Sequence, residues 1–125
     1  MWLNYLLVFL GGGLGSVCRF GLAHWLQRHQ LTFPVATLLA NILACLLLGY
    51  LVGLSLRAAV PHPHRYLWMI GFCGGFSTFS TFTHDTLVLL QNGQTTYALL
   101  NVGGSLVICL LAVWVGLSLA EVTGS

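Results

Sequence analysis

The sequence predicts an all-α transmembrane protein, four helices joined by short loops, and three observations predict it. Of 125 residues, 58% are hydrophobic, while Lys+Arg number 4 and Asp+Glu number 2. A soluble domain carries about a quarter of its residues as charged side chains, so this chain cannot cover a water-facing surface. A soluble enzyme is excluded on that ground, and a net charge of +2 offers no basic face for nucleic acid. Four apolar stretches, 3–26, 35–56, 66–90 and 96–119, can each cross a hydrocarbon core about 30 Å thick at about 1.5 Å per residue. The connections hold the breakers: Arg28-His29-Gln30 before Pro34, then Pro61-His62-Pro63-His64, then Gln91-Asn92-Gly93. Trp2, Tyr5, Trp25, Tyr66, Trp68 and Tyr97 fall near span ends, where amphipathic rings favour the headgroup layer.

The first stretch has no basic region before it, so a secretory signal is not expected. Its glycines, Gly11, Gly12, Gly13 and Gly15, include a GxxxG pair that permits close backbone approach. Packing within one subunit and dimerisation explain that pair equally well. Arg19 lies about two-thirds along the span. It either snorkels to the interface or stands near a pore mouth and raises the local anion concentration. The second stretch repeats the GxxxG spacing at Gly49/Gly53 and carries one amide, Asn41, in the run ATLLANILACLLLG. An unsatisfied polar group in lipid costs several kcal/mol, so Asn41 makes a helix–helix hydrogen bond or aims a donor into a polar pathway.

The third stretch, YLWMIGFCGGFSTFSTFTHDTLVLLQ, is a poor helix former at its middle. Two glycines, serines and β-branched threonines weaken it near the bilayer midplane. A broken helix at that depth must line a cavity or lie inside protein, and it frees carbonyls for a cation and a helix start for an anion. Phe76, Phe79 and Phe82 recur every three residues among hydroxyls. Their positive ring edges suit an anion path, although an aromatic stripe also reads as packing. In the fourth stretch Gly103, Gly104 and Ser105 form another small-residue patch.

Asp85 is the one acid inside a span, and the first span has none. A proton-coupled carrier needs a titratable group at depth, and a small multidrug-type proton-coupled transporter, the alternative reading, is expected to carry a glutamate in its first span. A passive pathway is therefore favoured. Cys18, Cys45, Cys73 and Cys109 stand one per stretch without CxxC spacing and read as packing. His62 and His64 alone do not make a metal site. Arg57 and Arg65 lie on one side of the membrane, and Arg28, with Arg19 if it snorkels, on the other. That leaves almost no bias for the positive-inside rule.

Three motifs, GGGLGSVCRF at 11–20, TLLANILACLLLG at 37–49 and GFCGGFSTFSTFT at 71–83, make the chain resemble the CrcB/Fluc family of small bacterial fluoride channels over essentially its whole length. The family pattern at the third motif is close to G-F-x-G-G-x-T-T-F-S-T-F, and Ser77 stands where the first threonine is usual. The resemblance implies an antiparallel dual-topology homodimer in the bacterial cytoplasmic (inner) membrane, passing fluoride passively out of the cell. It implies a structural, untransported Na⁺ held by the backbone carbonyls of Gly74 and Ser77 and their counterparts in the second copy. Carbonyl binding tolerates Ser77 for Thr. It further implies pore roles for Asn41, Phe79 and Phe82, a polar track at Ser80 and Thr81, a pore contribution from Ser105, and a vestibule position for Arg19.

Overall fold

The computed structural model describes residues 1–29, 32–57 and 60–123. Gln30, read above as part of the first connection, lies outside them. The described residues form helices and no strand. Helix α1 is Trp2–Gln27 and α2 is Val35–Arg57. Residues 62–76, called α3, run through three consecutive pieces, His62–His64, a π-helical Arg65–Cys73, and Gly74–Phe76. Helix α4 is Phe79–Gln91 and α5 is Thr95–Thr123. Helices α1, α2 and α5 are each long and apolar enough to cross a membrane. Neither α3 nor α4 is long enough alone. The expected starts and ends agree to within one residue for α1 and α2. The third segment starts four residues earlier than expected, at His62, because Pro63 fits the first turn of a helix, where its missing N–H is not needed.

The helices pack in two pairs, each closed by glycine. In the first pair α1 lies against α3. A Cβ at Gly11 would strike the Leu67 carbonyl, and one at Gly15 would lie 2.7 Å from the Phe76 nitrogen. Gly75 answers from the other side, where a Cβ would meet the backbone of Gly12. The second pair sets α2 against α5. A Cβ at Gly49 would strike the Val113 carbonyl, and one at Gly116 would meet the Leu46 carbonyl and lie 2.7 Å from the Tyr50 nitrogen. The GxxxG pairs Gly11/Gly15 and Gly49/Gly53 are therefore filled by helices of the same chain. Gly13, Gly21 and Gly103 have open space where a side chain would stand.

Small residues let the backbones come close, so the buried core is small too. Ala40 and Ala44 on α2 pack against Phe76, with Leu22 and Phe72 around them. Most large apolar side chains, including Phe9, Phe20, Leu106 and Trp114, face outward. Such a surface is the solvent-facing side of a protein dissolved in lipid. At one end Arg57 pairs with Glu121 at 3.3 Å and Tyr50 shares a 3.0 Å hydrogen bond with Thr123, tying α2 to α5. At the other end Gly93, at φ 75, turns the chain from α4 to α5. There the Gln94 N–H reaches the Leu89 carbonyl at 2.8 Å, closing the C-terminus of α4.

Candidate functional site

The site is built around two extended residues between α3 and α4. Ser77 has φ −81 and ψ 157, and Thr78 has φ −153 and ψ 127. Hydroxyl side chains offer the backbone alternatives to helical hydrogen bonds, and both residues use them. The Ser77 N–H and hydroxyl both donate to the Cys73 carbonyl, at 3.0 and 2.9 Å. Thr78 caps α4, its Oγ1 accepting the Thr81 N–H at 3.2 Å.

Two side chains from other helices hold this segment. Asn41 of α2 clamps Thr78 from both sides: its Oδ1 accepts the Thr78 N–H at 2.9 Å and its Nδ2 donates to the Thr78 carbonyl at 3.3 Å. Arg19 of α1 donates from Nε to the Gly75 carbonyl at 3.2 Å. Of the two readings of Asn41, the inter-segment hydrogen bond is realised. A second Nδ2 hydrogen is left, because an amide carries two. Arg19 is likewise bonded to the backbone. It holds a backbone carbonyl with one of its five N–H groups.

These contacts decide which carbonyls are left over. In a continuous helix the Gly74 carbonyl would accept from the Thr78 N–H, which instead goes to Asn41. The Ser77 carbonyl would accept from the Thr81 N–H, which instead goes to the Thr78 hydroxyl. Gly75 and Thr78 have had their carbonyls claimed by side chains; Gly74 and Ser77 have not. Hard, neutral oxygens at a helix C-terminus suit a small cation, while the start of α4 presents N–H groups and the positive end of a helix dipole, which suit an anion.

Two cavities meet at this segment, and a third adjoins one of them. A groove of about 470 Å³ is walled by Asn41, Ser77, Thr78, Phe79, Phe82 and Ser105, with Cys45 and Cys109 beside them. The Phe79 and Phe82 rings lie 5.7 Å apart, tilted by 40°. Across Thr78 is a pocket of about 240 Å³ walled by Ser16, Arg19, Thr37 and Thr81. That pocket shares Ala23, Ala36, Thr37 and Thr81 with an open cleft of about 800 Å³ that reaches His84, Asp85 and Gln94. Apolar surface dominates all three, and among their polar lining residues Arg19 is the arginine and Asp85 the acid.

The groove thus brings together Asn41, Phe79, Phe82 and Ser105. It does not include Arg19 or Thr81, which face the smaller pocket, nor Ser80, which is exposed with its hydroxyl 3.2 Å from that of Thr78. The aromatic stripe divides. Phe76 is buried and stacks on Phe72 at 5.5 Å, so it belongs to the core, while Phe79 is 78% exposed. Two polar contacts went unread in the sequence. The Thr37 hydroxyl donates to Asp85 Oδ2 at 2.7 Å, and Asn101 donates to the Thr86 hydroxyl at 2.9 Å. Asn101 stands in an apolar run as Asn41 does and carried the same signal. Nothing in the spacing of 37 and 85 pointed to their meeting.

The chain is similar to known proteins over nearly all of its length. It is 46% identical over 115 residues to the fluoride-specific ion channel FluC 2 of Symbiobacterium thermophilum, covering 90% of this chain and 94% of that one. It is 44% identical over 114 residues to the fluoride-specific ion channel FluC of Thermus thermophilus, covering 90% of each. It is also 44% identical over 116 residues to the FluC of Pyrococcus furiosus, covering 92% of this chain and 94% of the relative. These relatives are named as ion channels, not as enzymes. The family model described as CrcB-like protein, Camphor Resistance (CrcB), matches residues 6–117, and with its long apolar helices this chain is a membrane protein belonging to the CrcB family.

Proposed function

We propose that this protein is a fluoride-selective channel that lets F⁻ leave the bacterial cell across the cytoplasmic membrane and so relieves fluoride toxicity. The observation that carries the reading is the groove at the start of α4, where Asn41, Phe79, Phe82 and Ser105 converge beside a helix N-terminus. The names of its relatives support the choice of anion. In this reading the chain is one integral membrane domain, with α3 and α4 together forming a broken third span beside α1, α2 and α5. Two copies assemble antiparallel, as the small charge bias permits.

Fluoride is small and strongly hydrated, so a path must replace its water with donors. The free Asn41 N–H, the Ser80 and Thr81 hydroxyls and the ring edges of Phe79 and Phe82 are such donors. Several weak sites in a row let an ion enter and also leave. Arg19 keeps four N–H groups free on the pocket side of Thr78. It would concentrate anions without closing on one. Fluoride enters cells as HF and ionises inside, so a passive leak runs outward down its gradient. A larger anion such as chloride is refused by width.

The same reading assigns the Gly74 and Ser77 carbonyls, with their counterparts in the second copy, to a structural Na⁺. The residues fit, because these are the two carbonyls whose helical donors are diverted. Bound there, Na⁺ would supply a fixed positive charge; the chain's own part would be the two carbonyl oxygens of Gly74 and Ser77.

Purified protein in liposomes loaded with KF, with external fluoride followed by electrode after valinomycin, tests the function. Rapid fluoride release without chloride release is expected with no pH gradient. Release that requires a pH gradient would instead identify a proton-coupled carrier, for which α1 offers no acid and Asp85 is engaged by Thr37.

A further inference from the structure

Asn101 is 1% exposed, the one large side chain buried to that degree among the described residues, and it is an amide in the middle of an apolar helix. Burying an amide there is unfavourable unless its bonds are met. Its partners form a directed chain. The Thr86 hydroxyl donates to the Phe82 carbonyl at 2.8 Å, Asn101 Nδ2 donates to the Thr86 oxygen at 2.9 Å, and the Ser105 hydroxyl donates to Asn101 Oδ1 at 3.3 Å.

The direction of every proton follows from the first bond. Thr86 has a single hydroxyl hydrogen, and the Phe82 carbonyl takes it. Thr86 can therefore only accept from Asn101, which fixes the amide nitrogen toward α4. The amide oxygen then faces Ser105, and Ser105 must donate to it. Ser105 borders the groove of Phe79 and Phe82, yet its hydrogen is committed to Asn101. Phe82 is bound through its carbonyl to the residue that Asn101 grips. Elsewhere α4 is held to α2 by Asn41 at Thr78 and by Thr37 at Asp85. Asn101 is its side-chain hydrogen-bond tie to α5 among the described residues.

We propose that Asn101 is a positioning residue for the ion path. Through Thr86 it sets the rotation of the α4 turn that carries Phe82, and through Ser105 it turns a groove hydroxyl proton away from the passing anion. Ser105 then serves as wall and not as donor. The inference rests on the channel reading only for its effect on flux; the anchoring of α4 stands apart from it.

The test compares Asn101→Asp, which keeps the shape and loses the donor, with Thr86→Val, which keeps the shape and loses the acceptor, and with Thr86→Ser, which restores it. Fluoride efflux from liposomes is expected to fall at least tenfold in Asn101→Asp and Thr86→Val. The double variant is expected to be no slower than either single one, and Thr86→Ser to match the wild type. Amide hydrogen exchange across residues 79–86 is expected to accelerate in Asn101→Asp and Thr86→Val only. Wild-type flux with unchanged exchange in Thr86→Val overturns the proposal, as does equal loss in Thr86→Ser and Thr86→Val. Wild-type liposomes that retain fluoride refute the channel reading instead, and the exchange comparison still decides whether Asn101 anchors α4.

Discussion

Asn41 and Phe82 concentrate the chemistry at single side chains. Asn41→Asp removes the donor to the Thr78 carbonyl, sets a carboxylate against it and puts negative charge on the groove. Fluoride efflux is expected to fall more than tenfold, and an electrode assay on liposomes of equal protein content reads it. Phe82→Ile replaces a ring edge with an aliphatic surface that cannot meet an anion, and it too should cut the flux while the protein elutes as the wild type does on size exclusion. Normal flux in both would place the ion path elsewhere. At this scale the sequence was readable wherever a residue broke its local rule. An amide among leucines, an arginine within a span and hydroxyls crowding a helix all mark the site. What each one touches was not readable. The Arg19 bond to Gly75 and the Thr37 bond to Asp85 join residues 56 and 48 positions apart, and only the packing of separate helices brings them together.

Elements show the reverse balance. Hydropathy and breakers located α1 and α2 to a residue, since a helix in lipid must satisfy its own backbone and therefore ends where the apolar run ends. Partner choice was less legible, because GxxxG spacing marks a close approach without naming the helix approached. The glycines at 11, 15, 49 and 116 answer that within the chain. Gly116→Leu would drive a side chain into the α2 backbone, and a loss at the upper end of overpacking, about 3 kcal/mol, should appear as a lower unfolding temperature or a lost monodisperse peak. Gly21→Ala, with open space around the added methyl, should instead be neutral or stabilise by up to about 1 kcal/mol. Equal effects from the two would mean that α2 and α5 are not packed as described.

The whole molecule is organised by scarcity of charge. Of the four arginines, Arg57 is paired with Glu121 and Arg19 is turned inward to a carbonyl, so the residues left to orient the chain are fewer than the composition alone suggests. Dual topology makes a direct prediction. Gln91→Lys with Thr95→Lys loads one side of the membrane, and His62→Lys with His64→Lys loads the other. Each pinned variant alone should protect fluoride-exposed cells poorly, and the two together should restore growth. Full protection by one pinned variant would contradict an antiparallel dimer. The central claim, a passive path selective for fluoride, is tested most directly by current across a planar bilayer with opposed fluoride and chloride gradients and no pH difference. Reversal at the fluoride equilibrium potential is the expected result; reversal at the chloride potential, or no current until a proton gradient is imposed, would contradict it.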